Sequence, residues 1–366
     1  MPTLARPHQT EWVVEAWRAL AAWLVVLAHF GPPAGLSGPL TAFAFTGVNL
    51  FFVLSGFVFG PYWLQAGPYC WQAFALRRVF RIYPAYLLAL TIMVLIAWMQ
   101  SRPLFHLPEH LLFLHVQSRE MAFYYNPAFW SLPAEVAFYM TLPWLVSWSA
   151  ARPTRLWGMA LFALVMRICL VLTANATEQN VAYVALHHLP GIAIEFAAGI
   201  MARDLSERWA TLRKMRWASC WTIVATAAAA WYVLALVFLI ARAQAWGFAF
   251  ENVITLMTVP CFAFALAATG AVGKTGLSHL STPWWVRLAL WLGGLSYGVY
   301  LTHVAWLQGA LLWQERWGPS MAFGGALLGT ALSAWVVHRW CEAPARHFGR
   351  RWAQRLEARW HSRRKI

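Results

Sequence analysis

Apolar runs of about 20 residues, separated by short polar or basic stretches, recur from one end of this chain to the other. A helix needs a run of that length to cross a bilayer core of about 30 Å. The pattern predicts ten spanning helices, near residues 12–30, 41–64, 83–99, 129–148, 157–173, 183–201, 217–241, 248–269, 288–312 and 320–338. The expected fold is therefore all-α, a polytopic transmembrane helical bundle over residues 1–340, followed by a basic cytoplasmic tail at 341–366. That tail reads as an amphipathic helix lying on the inner leaflet. The first run holds Arg18 and no small-residue cleavage site, so it reads as a span and not as a signal peptide. No internal repeat is visible, which leaves the inverted-repeat signature of many transporters without support.

Composition sharpens this. Only 11% of the 366 residues are charged and 61% are hydrophobic, where a soluble domain carries about a quarter charged residues. The net charge of +15 could suggest nucleic acid, but its placement excludes that partner. Most of the 28 lysines and arginines fall at the N-terminus, in the loops after the even-numbered spans, and in the tail. The positive-inside rule then puts both termini in the cytoplasm. The remaining basic excess suits membrane lipids or an anionic ligand at that face. Five cysteines are scattered without metal or redox spacing and read as small apolar fillers. His106 and His110 are four apart, yet Pro108 lies between them and no third ligand is evident. The expectation there is an interfacial amphipathic segment and no metal site.

The polar residues inside the spans are the candidates for chemistry, because ionisable groups in a bilayer are costly. Arg18 and His29 are eleven residues apart, which is three helical turns plus about 20°, so they share a face roughly 16 Å apart along the axis. Asn49, Glu135 and His303 fall at middle-to-outer depth in other spans, together with His29. Arg77, Arg78 and Arg81 sit at the opposite, cytoplasmic side. Such a cluster suits phosphates through charge-assisted, often bidentate bonds, although a topology signal would look the same. A neutral imidazole can act as general base toward a hydroxyl, and a carboxylate such as Glu135 can orient it. The same residue types build proton relays in transporters and exporters, so the residues by themselves leave enzyme and transporter both open. Arg167 and Glu195 read as a structural ion pair. Gly56…Gly60 and Gly294…Gly298 read as close helix contacts.

Six segments, in order, resemble the acyltransferase family 3 of integral-membrane O-acyltransferases. They are Arg18 with His29; Gly47-Val-Asn-Leu-Phe-Phe-Val-Leu-Ser-Gly56; Arg78-Val-Phe-Arg81-Ile-Tyr-Pro84; Trp130-Ser-Leu-Pro-Ala-Glu135 with Tyr139; Ser296-Tyr-Gly-Val-Tyr-Leu-Thr-His303; and Glu342-Ala-Pro344 with Arg346. The resemblance covers nearly the whole chain. It implies about ten spans with cytoplasmic termini, in a bacterial inner membrane. It implies transfer of an acyl group, usually acetyl, from cytoplasmic acyl-CoA to a hydroxyl of an envelope glycan, lipid or small metabolite. His29 matches the family's essential histidine, the general base, and Arg18 its essential arginine. Arg78 and Arg81, with Arg77 beside them, match the pair that holds the CoA phosphates, with Arg18 as a further phosphate ligand. Glu135 and His303 match polar positions of the pocket. Acetyl-CoA would be a substrate, with no cofactor bound permanently.

The chain departs from the family in two places. Asn49 stands where an Asp is usual, and Pro133-Ala-Glu135-Val136 stands where Ser-Val-Glu-Glu is common. Asn49, Ser55 and Tyr297 are candidate donors to a developing oxyanion. With no soluble esterase-like domain after the last span, the chain is expected to act alone or to pass its acyl group to a separate periplasmic transferase.

Overall fold

A computed structural model describes residues 8–64, 69–149, 152–176, 184–212, 216–275 and 283–363. All regular structure among them is helical. The chain runs through α1 (His8–Phe30), α2 (Pro39–Phe43), a 3-10 turn and α3 (Gly47–Leu64). It continues through α4 (Trp71–Met99), α5 (Leu107–Leu111), α6 (Arg119–Phe123), a second 3-10 turn (Pro127–Trp130) and α7 (Ser131–Ser149). Then come α8 (Pro153–Ala176), α9 (Leu189–Thr211), α10 (Trp217–Ala243), α11 (Phe248–Leu256) and α12 (Thr258–Thr275). The last elements are α13 (Trp284–Trp317), α14 (Pro319–Val337), a π-helical turn (His338–Glu342) and α15 (Ala343–Arg363).

Among the described residues nine helical stretches are long and apolar enough to cross a membrane, and the protein is an integral multi-pass membrane protein. The expected fourth span is α7. Its 19 residues reach about 28 Å, but Glu135, two prolines and several polar or aromatic side chains lower its hydropathy, and it is not among the nine.

The chain forms two compact units. The first comprises Met1–Leu64, Ala151–Leu186 and Pro190–Ser296. Its core joins Val13, Val14 and Ala21 of α1 to Leu50, Val53 and Phe57 of α3 and to Val259, Phe262 and Leu266 of α12. α3 and α9 touch backbone to backbone. A Cβ on Gly56 would lie 2.0 Å from the Phe196 carbonyl oxygen, and one on Gly199 would lie 2.0 Å from that of Val53. Only glycine permits this approach, so the small-residue motif at Gly56 has the packing role expected of it.

The second unit comprises Gln65–Ala150, His187–Leu189 and Tyr297–Ile366. Here the helix containing the arginine motif is longer than the apolar run that predicts it. It starts at Trp71, not near 83, and continues through Pro84. Arginine favours helix, and one lost backbone bond at a proline is tolerable in a packed helix. The arginines are therefore helical side chains with defined facing. The basic tail is α15, which packs along α4: Phe80 meets the rings of Phe348 and Trp352, and Gly349 allows the close contact, since its Cβ would lie 2.5 Å from that of Phe80.

Candidate active site

In the first unit, His29 lies one residue before the end of α1 and is only partly buried. Its Nδ1 is 3.0 Å from the Val25 carbonyl oxygen one turn earlier. A carbonyl only accepts, so Nδ1 carries the proton and the basic lone pair resides on Nε2. Arg18 pairs with Glu15 at 3.2 Å, one turn away on the same helix, with both side chains less than a fifth exposed. The Glu15 backbone is itself pressed against α13, where a Cβ on Gly293 would lie 2.3 Å from Glu15 atoms. Asn49 Nδ2 donates to Glu195 Oε1 at 3.1 Å.

Arg167 and Glu195 do not form the direct ion pair expected of them. Arg167 Nη1 donates to the carbonyls of Gly191 (2.7 Å) and Leu186 (3.3 Å), and Nη2 donates to Asn252 Oδ1 (3.3 Å). The guanidinium thus ties α8 to the start of α9 and to α11, while the carboxylate turns to Asn49. Each of these two buried groups takes its hydrogen-bonding partners from other elements, which is how buried polar side chains are tolerated.

In the second unit, Arg77 and Arg81 are four apart and face α15. Arg77 pairs with Glu357 at 2.7 Å and Arg81 with Glu342 at 3.5 Å. Glu342 is 1% exposed and also receives Arg346 at 3.2 Å and His338 at 3.3 Å. Arg78 turns to another side of α4. Its guanidinium carbon lies 5.8 Å from the ring centroids of both Phe74 and Tyr139. The hydroxyl of Tyr139 donates to Glu135 Oε1 one turn earlier on α7. Arg78, Tyr139 and Glu135 thereby form one continuous cluster. Tyr297 donates its hydroxyl proton to the Ile82 carbonyl at 3.1 Å, so in this arrangement that proton is not directed at an oxyanion. His303 is fully buried, and its Nδ1 lies 2.9 Å from the Tyr300 carbonyl and 3.1 Å from that of Val299. Like His29 it carries its proton on Nδ1.

The connection from α4 to α7 carries His106, His110 and His115. It folds back along α4, where Tyr83 and Tyr86 donate to the carbonyls of Leu111 (3.1 Å) and His110 (2.8 Å). Its polar residues His110, His115 and Asn126 are fully buried, while Phe105, Leu112 and Leu114 are exposed. The His110 and His115 rings stack at 4.1 Å, tilted by 7°. Burial lowers the first to about 4 and the second to about 3, so both are neutral at pH 7. Parallel stacked rings cannot aim their lone pairs at one tetrahedral ion. Among the described residues no group of three or more His, Cys, Asp or Glu is placed to hold a metal.

The structure thus groups Arg18, His29 and Asn49 in one unit, and Arg77, Arg78, Arg81, Glu135 and His303 in the other. Partners that lie outside the sequence-based expectations include Glu15 for Arg18, Glu195 for Asn49 and Glu357 for Arg77. The first has a local signal, its i, i+3 spacing. The other two are 146 and 280 residues from their partners, and only the fold brings them together. In comparison with known proteins, a family model described as an acyltransferase domain matches residues 12–339. No curated protein and no solved structure matches the chain.

Proposed function

The chain belongs to this membrane acyltransferase family, and from that premise we propose that it transfers an acyl group, acetyl in the simplest case, from cytoplasmic acyl-CoA to a hydroxyl-bearing envelope glycan, lipid or small metabolite in a bacterial inner membrane. The observation that carries the base assignment is the Nδ1–H of His29 donated to Val25. It leaves Nε2 as the basic atom of a partly accessible imidazole, as a general base requires. In the proposed step, His29 Nε2 takes the acceptor's hydroxyl proton while the hydroxyl oxygen attacks the thioester carbonyl. The tetrahedral oxyanion collapses, the C–S bond breaks, and the imidazolium returns the proton to the departing CoA thiolate. The products are the ester and free CoA.

The other roles are assigned by chemistry and family pattern. Arg78 and Arg81 receive CoA phosphates, supported by the helical presentation of both and the aromatic setting of Arg78. Arg77 and Arg18 supply further positive charge. Glu135 and His303 are polar groups of the acceptor or thioester environment. Asn49 contributes a side-chain hydrogen bond to the substrate.

The test compares envelope glycans, lipids and secreted metabolites by mass spectrometry in cells making the wild-type protein, the His29→Ala protein, or none. An acyl adduct that needs the wild-type protein and is lost with His29→Ala, at equal protein level, is the expected result. An adduct that persists with His29→Ala refutes His29 as the base. No adduct in any sample, together with no acyl-CoA binding by purified protein, refutes the acyl-CoA reaction and returns the transporter reading.

A further inference from the structure

The close contact of α3 and α9 places Glu195 in an unassigned role. Val53 and Gly199 meet backbone to backbone. One turn earlier on each helix lie Asn49 and Glu195, and positions four apart share a helix face. The close approach therefore forces these two side chains together, and their bond is 3.1 Å. Glu195 is fully buried, and its second oxygen has no hydrogen-bond partner among the described residues. Asn49 is only half-buried, and its amide oxygen has no hydrogen-bond partner among the described residues. In this arrangement the Glu195 carboxyl oxygen accepts from the amide nitrogen of Asn49. The amide oxygen is then turned away from Glu195.

We propose that Glu195 is a positioning residue of the acyl-transfer site: it locks the Asn49 amide so that Asn49 presents an acceptor oxygen, and not an N–H donor, to the substrate. The inference rests on the acyltransferase reading for its functional consequence and on the α3–α9 contact for its geometry. It reverses the expectation that Asn49 donates to an oxyanion. The group it receives is a hydroxyl or amide N–H of a bound substrate. The stretch of α3 that carries Asn49 packs on the part of α1 between Arg18 and His29, because a Cβ on Gly47 would lie 2.6 Å from the Ala21 carbonyl oxygen and 2.9 Å from the Leu24 Cβ.

Three variants test this: Glu195→Met, Asn49→Asp, and the double Asn49→Asp/Glu195→Gln. Each is measured for thermal stability in detergent and for kcat/KM of acyl transfer against wild type. Glu195→Met keeps the volume but frees the amide, and is expected to lower kcat/KM about tenfold, the scale of one neutral hydrogen bond, without lowering the melting temperature. Asn49→Asp alone opposes two carboxylates and is expected to lose both stability and activity. The double variant exchanges donor and acceptor: the introduced amide nitrogen at position 195 donates to the introduced carboxylate at position 49, whose other oxygen again faces the substrate. It is expected to recover stability and most of the activity. A double variant no more stable than Asn49→Asp overturns the pairing. Recovered stability without recovered activity, or full activity in Glu195→Met, overturns the acceptor role. The stability arm needs no catalysis, so it stands whether or not wild type transfers acyl groups, and wild type without transfer sinks the acyltransferase reading instead.

Discussion

Glu342 offers the sharpest energetic test. Its carboxylate, 1% exposed in the π-helical turn between α14 and α15, gathers Arg81 at 3.5 Å, Arg346 at 3.2 Å and His338 at 3.3 Å. At an effective dielectric of about 20, each arginine is drawn to it by roughly 5 kcal/mol. Removing three groups from water offsets most of that. What survives is the asymmetry of a buried pair, where deleting one partner costs about 3–5 kcal/mol because the remaining charges stay desolvated. Arg81 and Arg346 keep 14% and 25% of their exposure, and solvent screening places Glu342→Ala near the lower end, about 3 kcal/mol. The contrast is Glu357→Ala. Its partner Arg77 is 25% exposed and Glu357 is 35% exposed, so the loss there is expected to be below about 1 kcal/mol. Equilibrium unfolding in mixed detergent micelles measures both. A Glu342→Ala loss under about 1 kcal/mol, or one equal to that of Glu357→Ala, would refute the reading of Glu342 as the hub that seats α15 on α4. A double-mutant cycle with Arg81→Met is expected to show coupling above about 1 kcal/mol.

Two further outcomes follow from the packing and the loop histidines. Gly199→Val places a side chain where even a Cβ lies 2.0 Å from the Val53 carbonyl, and is expected to cost more than the usual overpacking penalty of about 1–3 kcal/mol; Gly324→Ala, with nothing within 4 Å of its Cβ, is the silent control. His110 and His115 have folded values of about 4 and about 3, below the ordinary value of about 6.5. The unfolded chain therefore binds more protons on acidification. Their contribution to stability is complete above a pH of about 6.5 and is lost as pH falls from there toward about 4, with a limiting slope of about 2.7 kcal/mol per pH unit for two protons. Thermal unfolding between about pH 7.5 and pH 4.5 checks this, and His115→Phe must show the shallower decline.

The spanning helices are legible in the sequence because hydropathy is a local property and a bilayer demands about 20 apolar residues from each. The arginine motif is legible as chemistry, yet hydropathy alone places its backbone in a loop before the span. The apolar run begins near residue 83, but Arg77, Arg78 and Arg81 already lie in the helix, held there by contacts of α4 with α15 and α7. The connection between α4 and α7 shows the same limit. The sequence reads it as an interfacial segment and does not show that His110 and His115 are fully buried, where Tyr83 and Tyr86 hold the segment against α4.

What the sequence alone determined was the class of molecule, an all-helical membrane protein with Arg18, His29, Asn49, Glu135, His303 and the arginine triplet as its chemically capable residues. Length, hydropathy and the rarity of ionisable groups in apolar runs suffice for that, since each is a cost borne by a single segment. The pairings were decided only by tertiary structure. Gly56 and Gly199 bring α3 and α9 close enough for Asn49 to meet Glu195, and the turn after α14 carries Glu342 to Arg81. A hydrogen bond acts over about 3 Å, whereas these partners lie far apart along the chain, 146 and 261 residues respectively. Which carboxylate serves which cation or amide is thus a property of helix packing.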